Sequence, residues 1–205
     1  MKILIASSNS GKLRDFAGAA SLFKVEFELI PNFKQLPEAV EDGKTFAENA
    51  RKKSEHYSRW VGDQLVLADD SGIEADALGG APGVYSARYA AMGTGLAGNG
   101  NDEANNARLL RELAGVEDAR RGVRFVSVIS VAKDGREVAS FRGEAQGVLL
   151  HAPRGNNGFG YDPLFWFAPL SKTFAELTPE EKAAVSHRGN AIRQFLAWCQ
   201  ARSDR

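Results

Sequence analysis

Residues 125–150 read Phe125-Val126-Ser127-Val128-Ile129-Ser130-Val131-Ala132, then Lys133-Asp134-Gly135-Arg136, then a second run from Val138 to Leu150. β-branched and aromatic residues fill both flanks, and Asp-Gly is the dipeptide that most readily takes the two positive φ angles of a tight hairpin. In the second strand Val138, Ser140, Arg142, Glu144 and Gln146 alternate with Ala139, Phe141, Gly143, Ala145 and Gly147, the period-2 pattern of a half-exposed strand. A long antiparallel hairpin is therefore expected late in the chain.

Upstream the pattern changes. Lys2–Ala6 is a short apolar strand, followed by the polar cluster Ser7-Ser8-Asn9-Ser10-Gly11 and a helical spacing of Leu13, Phe16, Ala17 and Ala20 that predicts a helix from Lys12 to about Leu22. Val25–Ile30 reads as a second strand and Pro31–Gly43 as an acidic loop. Thr45-Phe46-Ala47-Glu48 has the form of a capping box, in which each partner satisfies a backbone amide of the other, and opens a helix expected to reach Trp60. Gln64–Ala68 reads as a short strand that delivers Asp69-Asp70-Ser71-Gly72 at its end, and residues 76–101 as mostly loop. A helix is expected over Glu103–Leu113, a turn-rich loop over Arg154–Gly160 and a short strand over Leu164–Phe167. Two helix starts follow, at Thr178-Pro179-Glu180-Glu181 and at Ser186. Strands that alternate with helices early, plus a late hairpin, imply an α/β class with a mixed sheet.

Composition narrows the function. The chain has 205 residues, with 26 Lys+Arg against 26 Asp+Glu, so it lacks the broad basic charge of a nucleic-acid binder. One cysteine, Cys199, excludes an intrachain disulfide and a thiolate zinc site; its place on an apolar helical stripe reads as an inert core thiol, and the reducing usage fits the cytoplasm. No apolar run approaches the ~20 residues of a membrane helix.

Several motifs carry chemistry. Gly93-Thr94-Gly95-Leu96-Ala97-Gly98 matches G-x-G-x-x-G but lacks the preceding strand, and reads as a glycine-rich loop. Ser7–Lys12 follows a strand and opens a helix, where amides and a lysine hold phosphate oxygens, or where a simple N-cap and a solvated lysine would look the same. Adjacent Asp69 and Asp70 repel unless a divalent cation or a lysine relieves them, with Glu41 or Asp42 as a further ligand; a solvated Asx-turn is the alternative. Ser186-His187-Arg188 sets cations in a first helical turn, against the helix dipole, which points to an electron-rich group nearby, a phosphate or a carbonyl oxygen, if the pair is not simply solvated. Phe159, in Asn157-Gly158-Phe159-Gly160-Tyr161-Asp162-Pro163, sits on a glycine loop where a ring either stacks on a base or tucks onto the core. Together these favour a nucleotide with Mg²⁺.

Six motifs in one order, Ser8-Asn9-x-x-Lys12, Thr45-Phe46-x-Glu48-Asn49-Ala50-x-x-Lys53, Ala68-Asp69-Asp70-Ser71-Gly72, Gly79-Gly80-Ala81-Pro82-Gly83-Val84-Tyr85-Ser86-Ala87-Arg88, Gly158–Pro163 and Ser186-His187-Arg188, resemble the dITP/XTP (inosine-triphosphatase-like) pyrophosphatases over roughly Met1–Leu196. Ser8 stands where many members carry Gly. The resemblance implies one two-lobed α/β domain over residues 1–205, built around a long mixed sheet flanked by helices, with the active site in the cleft between lobes, and a cytoplasmic homodimer. It implies hydrolysis of dITP, ITP and XTP to monophosphate and pyrophosphate with one Mg²⁺ per subunit, held by Glu41 and Asp70, and Asp70 handling the attacking water. It assigns substrate contacts to Ser7, Ser8, Asn9, Ser10, Gly11, Lys12 and Lys53 around the triphosphate, and to Ser71, Phe159, Gly160, Tyr161, Asp162, Lys182, His187 and Arg188, with Phe159 stacked on the purine. A Maf-like pyrophosphatase with another base preference and a non-hydrolysing nucleotide sensor are the competing expectations.

Overall fold

The computed structural model describes residues 2–7, 12–13, 16, 26–94 and 100–203. Its elements are β1 (Lys2–Ile5), β2 (Glu26–Leu29), α1 (Phe46–Ser58), β3 (Val66–Ala75), α2 (Asp102–Glu112), β4 (Gly122–Lys133), β5 (Arg136–Leu149), β6 (Phe165–Phe167), β7 (Lys172–Thr173), α3 (Pro179–Val185) and α4 (His187–Ser203). The seven strands form one sheet in the order β2-β1-β3-β4-β5-β6-β7, so β2 and β7 are its outer strands. β1 pairs in parallel with β2 and with β3, while β5–β6 and β6–β7 are antiparallel. The sheet is mixed, as the sequence implies.

The hairpin forms as expected: Asp134 and Gly135 carry φ of 51° and 76° between β4 and β5. The turn is further tied down by Ser58, whose Oγ accepts the Gly135 amide at 2.8 Å. Along β5 Val138, Ser140, Arg142, Glu144 and Gln146 are more exposed than the residues they alternate with, of which Gly143 and Ala145 are buried.

The described residues fall into two compact units. The first comprises residues up to Asp70, Ser127–Glu144 and Ala183 onward; the second comprises Ser71–Val126 and Ala145–Lys182. In the first unit, β1 is buried on both faces, which explains its unbroken apolar run. Ile3 and Ile5 pack with Leu67, Ile129, Ile192, Phe195 and Cys199, whereas Leu4 and Ala6 pack with Ile30, Tyr57 and Val66. Burial raises the Cys199 thiol to about 11, which fits an unreactive core position. The core of the second unit is a cluster of rings, with Phe165 centroids 4.6 Å from Phe125 and 4.5 Å from Phe174. Arg121, 2% exposed, donates to the carbonyls of Leu113, Leu149 and Leu150 at 2.8, 2.8 and 3.1 Å.

Two expectations need correction, and one strand was not anticipated. Asp69–Gly72 does not end a short strand: β3 runs ten residues and carries the carboxylate pair in its middle. The segment 76–101 is not mostly loop among its described residues, because 3-10 turns occupy Asp76–Leu78 and Gly83–Ala91. β7, only two residues long, had no period to reveal it. The helix expected over 12–22 lies largely outside the described residues, although Lys12, Leu13 and Phe16 are helical. Among the described residues, no helix is long and apolar enough to cross a membrane.

Candidate active site

In the first unit the site is built from β3 and the helices packed on it. Thr45 caps α1, its Oγ accepting the Glu48 amide at 3.1 Å, while the Glu48 carboxylate reaches back to the Lys44 amide at 2.6 Å rather than to that of Thr45. This start puts Asn49 and Lys53 one turn apart on the same face. Asn49, 2% exposed, accepts the Gly43 amide at 2.8 Å through Oδ1 and donates through Nδ2 to Asp70 at 3.1 Å. Lys53 donates to the Asp69 carbonyl at 3.1 Å and pairs with Glu41 at 2.8 Å.

Asp69 is the centre of this cluster. Its carboxylate, 2% exposed, lies 3.0 Å from Lys12 Nζ and 3.5 Å from Arg188 Nε. Burial pushes its pKa up, but Lys12, Arg188 and Lys53 together outweigh that and hold it below the usual carboxylate range. Asp70 goes the other way. Burial raises it, the Glu41 charge adds to the rise, and Lys12, Lys53 and the Asn49 hydrogen bond only partly offset this. The two neighbours therefore differ in surroundings: the cations favour the ionised form of Asp69, whereas burial and Glu41 disfavour that of Asp70. Burial, helped by Lys53 and Arg188, lowers Lys12 despite Asp69; for Lys53, the burial cost is outweighed by Glu41, Asp70 and Asp69, and its pKa is raised.

His187 and Arg188 are positioned by close backbone approaches. Ser186 Oγ accepts the Gly189 amide at 3.1 Å, capping α4. A Cβ on Gly143 would run into the His187 carbonyl and the Ala191 amide, and one on Gly189 into the Ala183 carbonyl. Asn190 ties α4 to β5 by donating to the Glu144 carbonyl at 2.7 Å. One electron-rich group beside Arg188 is the Asp69 carboxylate, a group the sequence reading did not name.

In the second unit Lys182, 6% exposed, comes from α3, whose capping box is complete: Thr178 Oγ accepts the Glu181 amide at 3.2 Å and Glu181 accepts the Thr178 amide at 2.9 Å. Lys182 Nζ donates to Asp162 at 2.5 Å and lies 4.9 Å from the centroid of the Phe159 ring. The same Asp162 oxygen accepts the Phe159 amide at 2.9 Å. Tyr161, 5% exposed, donates its hydroxyl to the Ser86 carbonyl at 2.8 Å, and burial raises its pKa. Gly72, next to Ser71 on β3, lets Ser86 come close: a Cβ there would stand 2.7 Å from the Gly83 carbonyl oxygen. Phe159, Gly160, Tyr161, Asp162 and Lys182 form one constellation, and Lys12, Glu41, Lys53, Asp69, Asp70 and Arg188 another.

Residues 3–198 match the Ham1 family. The chain belongs to this family. A relative from Acidobacterium capsulatum named dITP/XTP pyrophosphatase is 50% identical over 96% of this chain and 97% of its own length. Two solved structures share the Ham1 fold: the Staphylococcus aureus Ham1 protein, with a TM-score of 0.84 at 39% identity covering 98% of this chain and all of that one, and a HAM1 protein from Coxiella burnetii, with 0.85 at 35% covering 98% and 99%.

Of the expected site residues, Ser8, Asn9, Ser10 and Gly11 lie outside the described residues, and Ser7 is partly exposed just beyond β1. Asn49, which the sequence reading gives no role, holds Asp70 in the structure; its place four residues before Lys53, on the same helical face, is the available signal. Among the described residues there is no group of three or more His, Cys, Asp and Glu that could hold a metal. Glu41 and Asp70 alone suit Mg²⁺, which commonly takes one or two carboxylates and fills its remaining positions with water and substrate phosphates.

Proposed function

We propose that this Ham1 protein hydrolyses non-standard purine nucleoside triphosphates, dITP, ITP and XTP, to the monophosphate and pyrophosphate, clearing them from the nucleotide pool. The observation that carries the reading is the Asp69-Asp70 pair set among cations, with Lys12 3.0 Å from Asp69, Asn49 donating to Asp70 at 3.1 Å and Lys53 paired with Glu41 at 2.8 Å. Lys12 and Lys53 bind the phosphate oxygens, and phosphoryl transfer depends mainly on such positioning and charge neutralisation. Glu41 and Asp70 would hold Mg²⁺, which when bound neutralises phosphate charge and polarises the scissile anhydride. Asp69 stays ionised and keeps the cations Lys12 and Arg188 in place. Asp70 orients the attacking water and accepts its proton as the new oxygen–phosphorus bond forms at the α-phosphate and the bond to the pyrophosphate oxygen breaks.

The purine goes to Phe159, Ser71, Gly160, Tyr161, Asp162 and Lys182. Donors here suit the 6-keto oxygen of hypoxanthine and xanthine. Adenine carries an amino group instead and leaves them unpaired, a mismatch that can discriminate by about 10⁴–10⁵-fold. The resemblance also carries a homodimer, which light scattering tests.

The deciding experiment is pyrophosphate release from dITP, XTP, dGTP, dATP and TTP, with Mg²⁺ and with EDTA. Metal-dependent release favouring dITP and XTP is expected. Preference for TTP or the standard purines would overturn the base assignment, and binding of dITP without release would overturn the enzymatic one.

A further inference from the structure

The loop that carries Phe159 is held by a helix to which nothing above gives a role. Gly160 has φ of 62°, and both of its backbone polar groups are taken by α2. Its amide donates to Asp102 Oδ2 at 2.6 Å, and its carbonyl accepts Asn106 Nδ2 at 2.9 Å. Asp102 and Asn106 are four residues apart, hence one above the other on one helical face. The helix is itself fixed at this end, where Asn101 caps it by accepting the Ala104 amide at 2.6 Å. Asn106 Oδ1 is buried and finds no hydrogen-bond partner among the described residues. A buried acceptor left unpaired costs free energy that a smaller or apolar side chain would avoid. Local stability therefore does not account for Asn106, whereas its grip on Gly160 does.

We propose that Asp102 and Asn106 are positioning residues for purine recognition: a backbone clamp on Gly160 that fixes the adjacent Phe159 ring and so sets base selectivity while leaving the phosphate chemistry untouched. This rests on the reading of Phe159 as the purine platform. Asp102 holds the amide and Asn106 the carbonyl, so the peptide units on both sides of Gly160 cannot rotate. The ring is then presented at one height relative to Lys182 and Asp162.

The test uses the full chain and four variants, Asn106→Ala, Asp102→Ala, Asp102→Asn and Asn106→Gln, assayed with dITP and dATP at saturating Mg²⁺. Each alanine variant should raise KM for dITP by about 3–10-fold, the worth of one hydrogen bond, with kcat changed less than about twofold. The preference for dITP over dATP should narrow by the same factor. Asp102→Asn keeps an acceptor for the Gly160 amide and should restore the wild-type values, and Asn106→Gln, which keeps the donor, should recover part of the loss. Amide exchange at Gly160 should quicken in both alanine variants. Loss of kcat at unchanged KM, or equal losses for dITP and dATP, would mark a merely structural role and overturn the proposal. If Asn106→Ala fails to fold, Asp102→Ala, at an exposed position, decides the matter alone. A wild-type protein without preference for dITP over dATP overturns the purine reading and the clamp with it; a wild-type preference unaltered in the variants overturns the clamp alone.

Discussion

Replacing each member of the Asp69-Asp70 pair by Asn should have opposite consequences, although the residues are neighbours on one strand. Asp69 is ionised and buried against Lys12 at 3.0 Å and Arg188 at 3.5 Å. Asp69→Asn leaves those cations without their counter-charge, and breaking a buried pair from one side costs about 3–5 kcal/mol. For a chain of this size that is a fall in Tm of roughly 6–20 °C. Asp70 has its ionised form disfavoured by burial and by Glu41, so Asp70→Asn removes an unfavourable charge and keeps an oxygen for Asn49 Nδ2. Its Tm should be unchanged or higher. Its turnover should nevertheless fall by at least about 10²-fold, as for loss of a general base, with dITP still bound. Thermal melts of both variants, with pyrophosphate release and dITP titration, make the comparison. Equal Tm changes, or a larger loss in Asp70→Asn than in Asp69→Asn, would refute the division of roles, as would near-normal turnover in Asp70→Asn.

Gly143→Ala should cost about 1–3 kcal/mol by overpacking and also lower kcat/KM, since the added methyl meets the backbone that carries His187; a variant neutral in both melts and turnover would show that α4 can yield. Because burial raises the Cys199 thiol to about 11, the folded state favours the neutral form. Its contribution is complete below the unfolded thiol value of about 8.5 and is lost as pH rises towards the folded value, amounting to about 3 kcal/mol. Denaturant titrations at stepped pH should show this loss in the wild type and not in Cys199→Val. EDTA should abolish pyrophosphate release and excess Mg²⁺ restore it, since without the metal the Glu41 and Asp70 carboxylates add negative charge beside phosphates that Lys12 and Lys53 offset only in part; undiminished release in EDTA would count against the metal.

What could be read from the sequence was local. Asp134-Gly135, Thr178 with Glu181, and Ser186 each fix geometry through neighbours no more than three residues away, and each appears where expected. Asp69–Gly72 reads as a strand end because two carboxylates and a glycine resist burial. It stays in a strand because Lys12, Lys53 and Arg188, from three distant parts of the chain, neutralise Asp69. The same distance hid the partner of Arg188: the dipole argument announced an electron-rich group but held no information about which. Gly83–Ala91 escaped because a 3-10 segment has no 3.6-residue period, and the clamp at Gly160 because both its bonds end on the peptide backbone, to which Asp102 and Asn106 leave no pattern.

The outer strands of the sheet bear on behaviour at high concentration. A free strand edge offers a row of unpaired amides and carbonyls that can recruit another chain, the first step towards fibrils. β7 is two residues long, and β2 is four residues with Glu26 and Glu28 among them. Two β2 edges brought together would set acidic side chains against their own copies, while Lys2 already satisfies Glu28 within the chain at 2.7 Å. Among the described residues the long, flat, apolar template that cross-β growth needs is missing from both sides of the sheet. The described margins of the sheet thus oppose edge-to-edge growth through their brevity and charge, independently of how tightly the interior is packed.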